Sequence, residues 1–484
     1  MAISNKQIGW SQESNLLWEI SKQMDRLTKV TSQSGGGGST ALQYETAYVS
    51  VDGNDSTAEL GNIDKPYLTI DGALNNNSGV EFLLIDIGVG SFQSPSEAAL
   101  RDNLILKGKG KPDFNYEVQV DSYDVINITE PTHLVGGTIL YGPILCIAKN
   151  NVQWYDLGVD CGSDWADTYN AGQPSAAGAL LIAQLYNDPT SPDGYHPPQT
   201  QSPPNTNCIL KNISVLAMAG SYHTVLLESQ LYPIVDNLTS MHGVWNLVVK
   251  SIGGNFTNLT LVGSSDAGLY CKSSYYAYFK NSNFFNVNIS SFDGNQSGCG
   301  IQIGGENYID TFSGLTLSNF NINRTNGGIK CYNPTGSTEI KYINISNGLI
   351  QNCSGIAIDS NDCPLLYSNF ENLILQNNNT DVRIISGDYN NLTNIRSIEC
   401  VNNAFELDAS TAIYANNVIA ITCGGTDYTY TDKVVTVNEF RNTHYNFNNL
   451  PAYTDNSDAI SNGLNVGDIY RNESTADGLN IVHS

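Results

Sequence analysis

Asn212-Ile-Ser-Val215, Asn237-Leu-Thr239, Asn258-Leu-Thr-Leu261 and Asn286-Val-Asn-Ile289 repeat one phrase: an asparagine, an aliphatic, a polar residue and, in the full copies, a second aliphatic. The phrase returns at Asn344-Ile-Ser, Asn372-Leu-Ile-Leu375, Asn394-Ile-Arg and Asn417-Val-Ile, with Gly314-Leu-Thr-Leu317 as a variant, and neighbouring copies lie 21 to 30 residues apart. A period of that length built from short apolar runs is the signature of a stacked solenoid. Each run alternates inward and outward residues and is bounded by Gly, Asn, Asp or Ser, which is strand chemistry rather than a helical stripe. One repeat is then one coil of strands and turns. Coils stacked in register, about 4.8 Å apart, predict a mainly β chain folded as a parallel β-helix. Asparagine suits the left-handed bend before each strand, and its amide can donate to the equivalent oxygen in the next coil. Such bonds contribute about 1 kcal/mol each, so burial of the inward Ile, Leu, Val and Phe must supply most of the stability.

A solenoid also removes the size limit on a single core, so 484 residues can form one long unit. Charged residues make up 14%, while Gly numbers 44 and Tyr 27, a mix that suits turn-rich β structure. The net charge of −25 argues against nucleic acid and anionic membrane as partners. It also opposes acidic polymers unless a local basic patch or a metal intervenes. Ten cysteines are scattered without a CxxC pair, and Cys271, Cys331 and Cys423 lie in or beside apolar runs. They read as core thiols, and no metal or cofactor is implied. The first residues are too polar for a signal peptide, and no run of about 18 apolar residues occurs, so synthesis in a cytoplasm without membrane insertion is expected. Asn-x-Ser/Thr triplets at Asn127, Asn212, Asn237, Asn258, Asn344 and Asn391 then reflect the repeat rather than glycan attachment.

Four segments follow from the pattern: 1–34, 35–43, 44–445 and 446–484. The first holds a short helix over 11–31, with Ser11 as its N-cap. Leu17, Ile20, Met24 and Leu27 follow a coiled-coil seam, with Trp10 upstream. Leu and Ile in these positions favour three or more strands; the alternative is one helix packed on the solenoid or on another protein. Ser34-Gly-Gly-Gly-Gly-Ser39 is a flexible linker. After Asp164-Trp165 the pattern lapses until Asn207 across a proline-rich interval, read as an excursion over the solenoid's side.

Val51-Asp-Gly-Asn-Asp55, Gly61 and Lys65-Pro-Tyr67-Leu-Thr-Ile70 with Ala73-Leu74 resemble the first coil of pectate-lyase-like right-handed parallel β-helices. That resemblance implies a strand, a turn and a short helix capping the core. Gly463-Leu-Asn-Val-Gly-Asp468-Ile-Tyr-Arg471 resembles the closing segment of bacteriophage virion proteins, and Gln7-Ile-Gly-Trp10 with Asn15-Leu-Leu-Trp18 resembles the amino-terminal segment of phage structural proteins. Together they imply a phage tail fibre, tailspike or head-fibre protein. The expectation is a homotrimer held to other virion proteins by its N-terminus, with the β-helix recognising a bacterial surface polysaccharide. Two other classes stay open: a depolymerase, hydrolase or lyase, on the same scaffold, and a purely structural decoration protein.

Candidate binding residues come from two places. Aligning the apolar runs places His223, His242 and Asp266 at one corner of successive coils, where a relay or ligand set could form, although turn histidines are commonplace. Tyr275-Tyr-Ala-Tyr278-Phe279 sends Tyr276 and Tyr278 to one face, able to stack on sugar rings or to pack against a protomer. Catalytic residues stay unassigned. Asp156, Asp160, Asp164, Asp167, Glu306 and Asp310 are available carboxylates, yet nothing in the spacing selects a pair, and no Lys or Arg stands out as a lyase base's partner.

Overall fold

The computed structural model describes residues 43–481 apart from 116–117, 121–125, 129–130, 162–177, 184–185, 188–194, 197–204, 218–222, 274–278, 292–297, 306–311, 333–338, 361–362, 386, 408–412, 426–427, 431–439, 443–451, 454–455, 463, 465–468 and 473–478. The seam residues Trp10, Leu17, Ile20, Met24 and Leu27, the linker, and the tyrosines Tyr276 and Tyr278 lie outside the described residues.

Within the unit Thr46–Ser484 the chain is a right-handed parallel β-helix. Thirty-one strands of the described residues join one sheet whose neighbours come from successive coils. The reason is visible in one interior row. Ile85, Leu106, Trp154, Leu210, Val235 and Phe256 stand in register on consecutive coils. Phe284, Leu317, Ile345, Phe370, Leu392 and Ala415 continue the row. All are at most 2% exposed, so every coil places one apolar side chain on the same line and buries it against the coils on either side. In the next row Phe320 meets Gly348, where a Cβ would lie 2.1 Å from the ring, so glycine makes room for the phenyl ring.

The first coil is sealed as the resemblance implies. Strand Glu45–Val49 is followed by the helix Ile70–Asn76, capped by Thr69, whose hydroxyl accepts from the Gly72 amide at 2.8 Å. Ile70, Ala73 and Leu74 turn inward. Asp55 fastens the turn by accepting from the Leu68 and Thr69 amides at 2.8 and 3.0 Å.

The asparagine ladder forms, with two differences from the sequence reading. Asn212, Asn237, Asn258 and Asn286 adopt φ of 56, 56, 56 and 57°. Their amides donate to the preceding coil rather than the next: Asn237 to Asn212 at 2.9 Å and Asn286 to Asn258 at 2.7 Å. Asn258 departs from the pattern and donates to Asp236. The ladder then passes through Asn319 and Asn347, not Gly314 and Asn344, and runs on through Asn372, Asn394 and Asn417 at 3.1, 2.9 and 2.8 Å. Asn344 belongs to a second ladder with Asn369 and Asn391, at 2.8 and 2.6 Å. A third joins Asn323, Asn352 and Asn377, at 2.9 and 2.8 Å.

The two costs held by one ladder residue can be separated. Asn372→Ala loses the amide bonds and also places a Cβ-bearing residue without Asn's local compensation at φ 54°, so it should destabilise by about 2 kcal/mol. Asn372→Gly keeps the bend and should lose less. Chemical denaturation of both variants checks this; equal losses would mean that the left-handed bend carries no cost.

The proline-rich interval is not wholly an excursion. Gly178–Ala183 re-enters the main sheet, pairing with Ile144–Ile147 on one side and with His223–Leu231 on the other. Its unbroken apolar run hides the alternation because Leu181 is buried on the outer face as Leu180 and Ile182 are on the inner. Near the C-terminus, Ala452–Tyr453, Ile469–Asn472 and Leu479–Ile481 make a separate three-stranded sheet beside the short helix Asn456–Ser461. Among the described residues, no helix is long and apolar enough to cross a membrane.

Candidate functional site

One outer face of the sheet carries a row whose character changes along the axis. Leu145, Leu181, Leu226, Val248 and Tyr270 stand in register. Gln302, Lys330, Asp359, Arg383 and Glu406 continue the same line. The first half is an apolar cluster, with Leu181, Leu226, Val248 and Tyr270 at most 4% exposed. The second half is polar and charged. Where the two meet lies a groove of about 510 Å³, lined by Trp245, Asp266, Tyr270, Gln302, Lys330, Tyr332 and Asp359.

The groove exists because the corner on one wall lacks side chains. Gly298, Gly327 and Gly355 all line it, from successive coils. At Gly298 a Cβ would lie 1.4 Å from the Asp266 carbonyl oxygen, so no other residue allows these coils to approach as they do.

Trp245 organises the upper end. Its ring stacks on His223 with centroids 5.1 Å apart and packs against Tyr270 at 5.8 Å, with the Asp266 carboxyl beside the indole. Burial raises the Asp266 pKa, opposed by the neighbouring Trp245 indole and by the charge of Lys330. Burial, with the nearby charges of Lys250 and Lys272, depresses the His223 imidazole to about 3, so it is neutral at physiological pH. Lys272 and Lys330 lie over the rings of Tyr270 and Tyr332, at 5.3 and 5.2 Å. Glu228 is paired with Lys250 at 2.5 Å, and Asp359 takes both Arg383 nitrogens at 3.0 and 2.9 Å.

His223 and Asp266 are therefore brought together, each against Trp245, but His242 is not the link between them. The register pairs His223 with Trp245 rather than with His242, which sits in the preceding turn at φ 64°. Its backbone carbonyl accepts from Thr224 and Asn246 at 2.6 and 2.7 Å, a turn-closing role. The sequence alignment failed there because the turn before Trp245 is shorter than those before His223 and Ala267.

Among the described residues, the carboxylates do not form a hydrolase pair on this face. Asp266 and Asp359 lie three strand steps apart, about 14 Å at the usual spacing, beyond the range of a glycosidase pair. Asp359 and Glu406 lie two steps apart, but Arg383 stands between them, where an inverting enzyme needs its water. Of the other candidates, Asp156 accepts from Asn212 at 2.7 Å and Asp160 accepts from the Leu134 amide at 2.7 Å, both in structural roles. Asp164, Asp167, Glu306 and Asp310 are outside the described residues. The sequence reading missed the basic residues. Lys250, Lys272, Lys330 and Arg383 are scattered in sequence yet gather on one face, and only knowledge of the register could have found them.

No family model matches the chain, and no curated protein does. Among solved structures it is similar to pectate lyase Pel9A, at 11% identity and a TM-score of 0.41, over 83% of this chain and 80% of that one. The polygalacturonase from Erwinia carotovora ssp. carotovora gives 10% and 0.37, over 85% of this chain and 100% of that one. PfbA, a surface adhesin of Streptococcus pneumoniae, gives 12% and 0.41, over 77% of this chain and 85% of that one. Likeness at this level carries no argument about activity; the fold stands on the strand register itself.

Proposed function

We propose that this chain is a bacteriophage fibre or spike protein, a homotrimer anchored by its N-terminus, that recognises a bacterial surface glycan through the β-helix. The observation that carries glycan recognition is the groove. Trp245 and Tyr332 offer ring surface beside Asp266, Gln302 and Lys330, which supplies apolar faces and hydrogen-bonding edges together. The virion context and the trimer are supported by the terminal sequence segments. Binding is favoured over cleavage because the outer-face carboxylates among the described residues are separated by distance or by Arg383.

The test is binding of purified surface polysaccharides from candidate host bacteria to the full chain, with the product assayed for new chain ends. Trp245→Phe and Lys330→Gln should each weaken the bound glycan by about tenfold or more while the circular dichroism of the sheet is kept. The solution mass should be that of three chains. Unchanged affinity in both variants would remove the groove from recognition, and newly released chain ends would replace binding by depolymerisation.

A further inference from the structure

Near the end of the long coils, Asp381, Cys400 and Cys423 bring a carboxylate oxygen and two sulfurs within 4.8 Å of one another. They come from three successive coils. Asp381 lies in the strand Thr380–Ile384, Cys400 follows the strand Asn390–Ile398, and Cys423 follows Ile413–Ile421, which pairs with it. Asp381 is 0% exposed. Its oxygens take hydrogen bonds from the Asn378 amide at 2.8 Å and from the Ser397 hydroxyl, both neutral donors. No salt bridge reaches it among the described residues. A buried carboxylate answered only by neutral groups is costly unless it keeps its proton or a cation completes it.

We propose that Asp381, Cys400 and Cys423 form a structural site for a zinc-class divalent ion that clips three successive coils together. Two sulfurs and one oxygen suit a tetrahedral, borderline-soft ion and not calcium or magnesium, which require oxygen ligands. Zinc lies about 2.3 Å from sulfur and 2.0–2.2 Å from oxygen, so the three ligand atoms need only a small contraction to share it. The Ser397 hydroxyl, bonded to Asp381 and 3.2 Å from the Cys423 sulfur, stands beside the shared position. Cys423 is only half-buried, which leaves a path for the ion and for a water as fourth ligand. Uptake releases the two thiol protons to solvent, with no change of oxidation state.

The experiment uses the full chain, reduced, stripped with chelator and titrated with Co²⁺. The expected result is one cobalt per chain with a thiolate-to-metal charge-transfer band, displaced by Zn²⁺, and a higher melting temperature with Zn²⁺ present. Cys423→Ser should weaken uptake at least tenfold. Cys353→Ser, in the corresponding turn after the strand Asn344–Gln351, should not. If Asp381→Asn fails to fold, the titration of the unaltered chain and of Cys423→Ser still decides. Absence of the band at stoichiometric Co²⁺, a band unchanged in Cys423→Ser, or a Cys400–Cys423 disulfide in the chain as isolated would overturn the proposal.

Discussion

Phe284→Ala should cost about 3–5 kcal/mol of unfolding free energy. Phe284 is 1% exposed and its ring stacks on Phe256 at 4.5 Å, with Phe279 at 6.3 Å. Phe279 in turn stacks on Phe312 at 4.5 Å, so four rings fill the middle of the solenoid from neighbouring coils. Removing one ring leaves a cavity between coils fixed in register on either side by Phe256 and Leu317, and neither can move inward without breaking its own pairing. Urea denaturation followed by circular dichroism measures the loss. A change below about 1 kcal/mol would mean that the coils repack freely. Because each coil contacts only its neighbours, the variant should also split the transition, with the halves on either side melting separately.

Acidification should destabilise the protein partly through His223. The folded-state value of about 3 lies below the ordinary 6.5, so between those pH values the unfolded chain binds more protons. The sign follows: the histidine's contribution is fully present above about 6.5 and is lost as pH falls toward 3. For a single proton the slope is at most about 1.4 kcal/mol per pH unit, shallower where water reaches the half-buried ring. His223→Gln keeps a polar group against Trp245 but does not titrate. Denaturation midpoints of the two proteins at pH 7, 6, 5 and 4 should diverge, with the unaltered chain falling faster. Parallel curves would show that His223 accepts its proton without leaving Trp245.

The fold was legible because its signal repeats. A single asparagine phrase proves little, but its recurrence with alternating aliphatics specified strands, coils and a ladder. The error at Asn344 shows the limit. Asn344-Ile-Ser-Asn347 holds two asparagines three residues apart, each at the head of a plausible phrase, and only the pairing of Phe320 with Gly348 puts Asn347 in the first ladder. The groove was less legible for a related reason. Ladder steps vary from 21 residues, between Asn237 and Asn258, to 33, between Asn286 and Asn319, and the register shifts between Glu228 and Gln230. Tyr270, Gln302, Lys330, Asp359 and Arg383, at steps of 32, 28, 29 and 24 residues, therefore share no fixed spacing, and a row on the surface reads as scattered residues. Asp266 and His223 were found through their place before the strands, whereas Trp245, which joins them, was hidden by the short turn that follows His242.

The backbone hydrogen bonds between coils, and the asparagine ladders beside them, all point along the solenoid axis. Tension applied along that axis loads successive coils in series, so the assembly yields at its single weakest interface, while a force across the axis is shared by many strands at once. The β-helix should accordingly resist sideways drag far better than a straight pull, and single-molecule stretching should record coil-by-coil rupture in small steps.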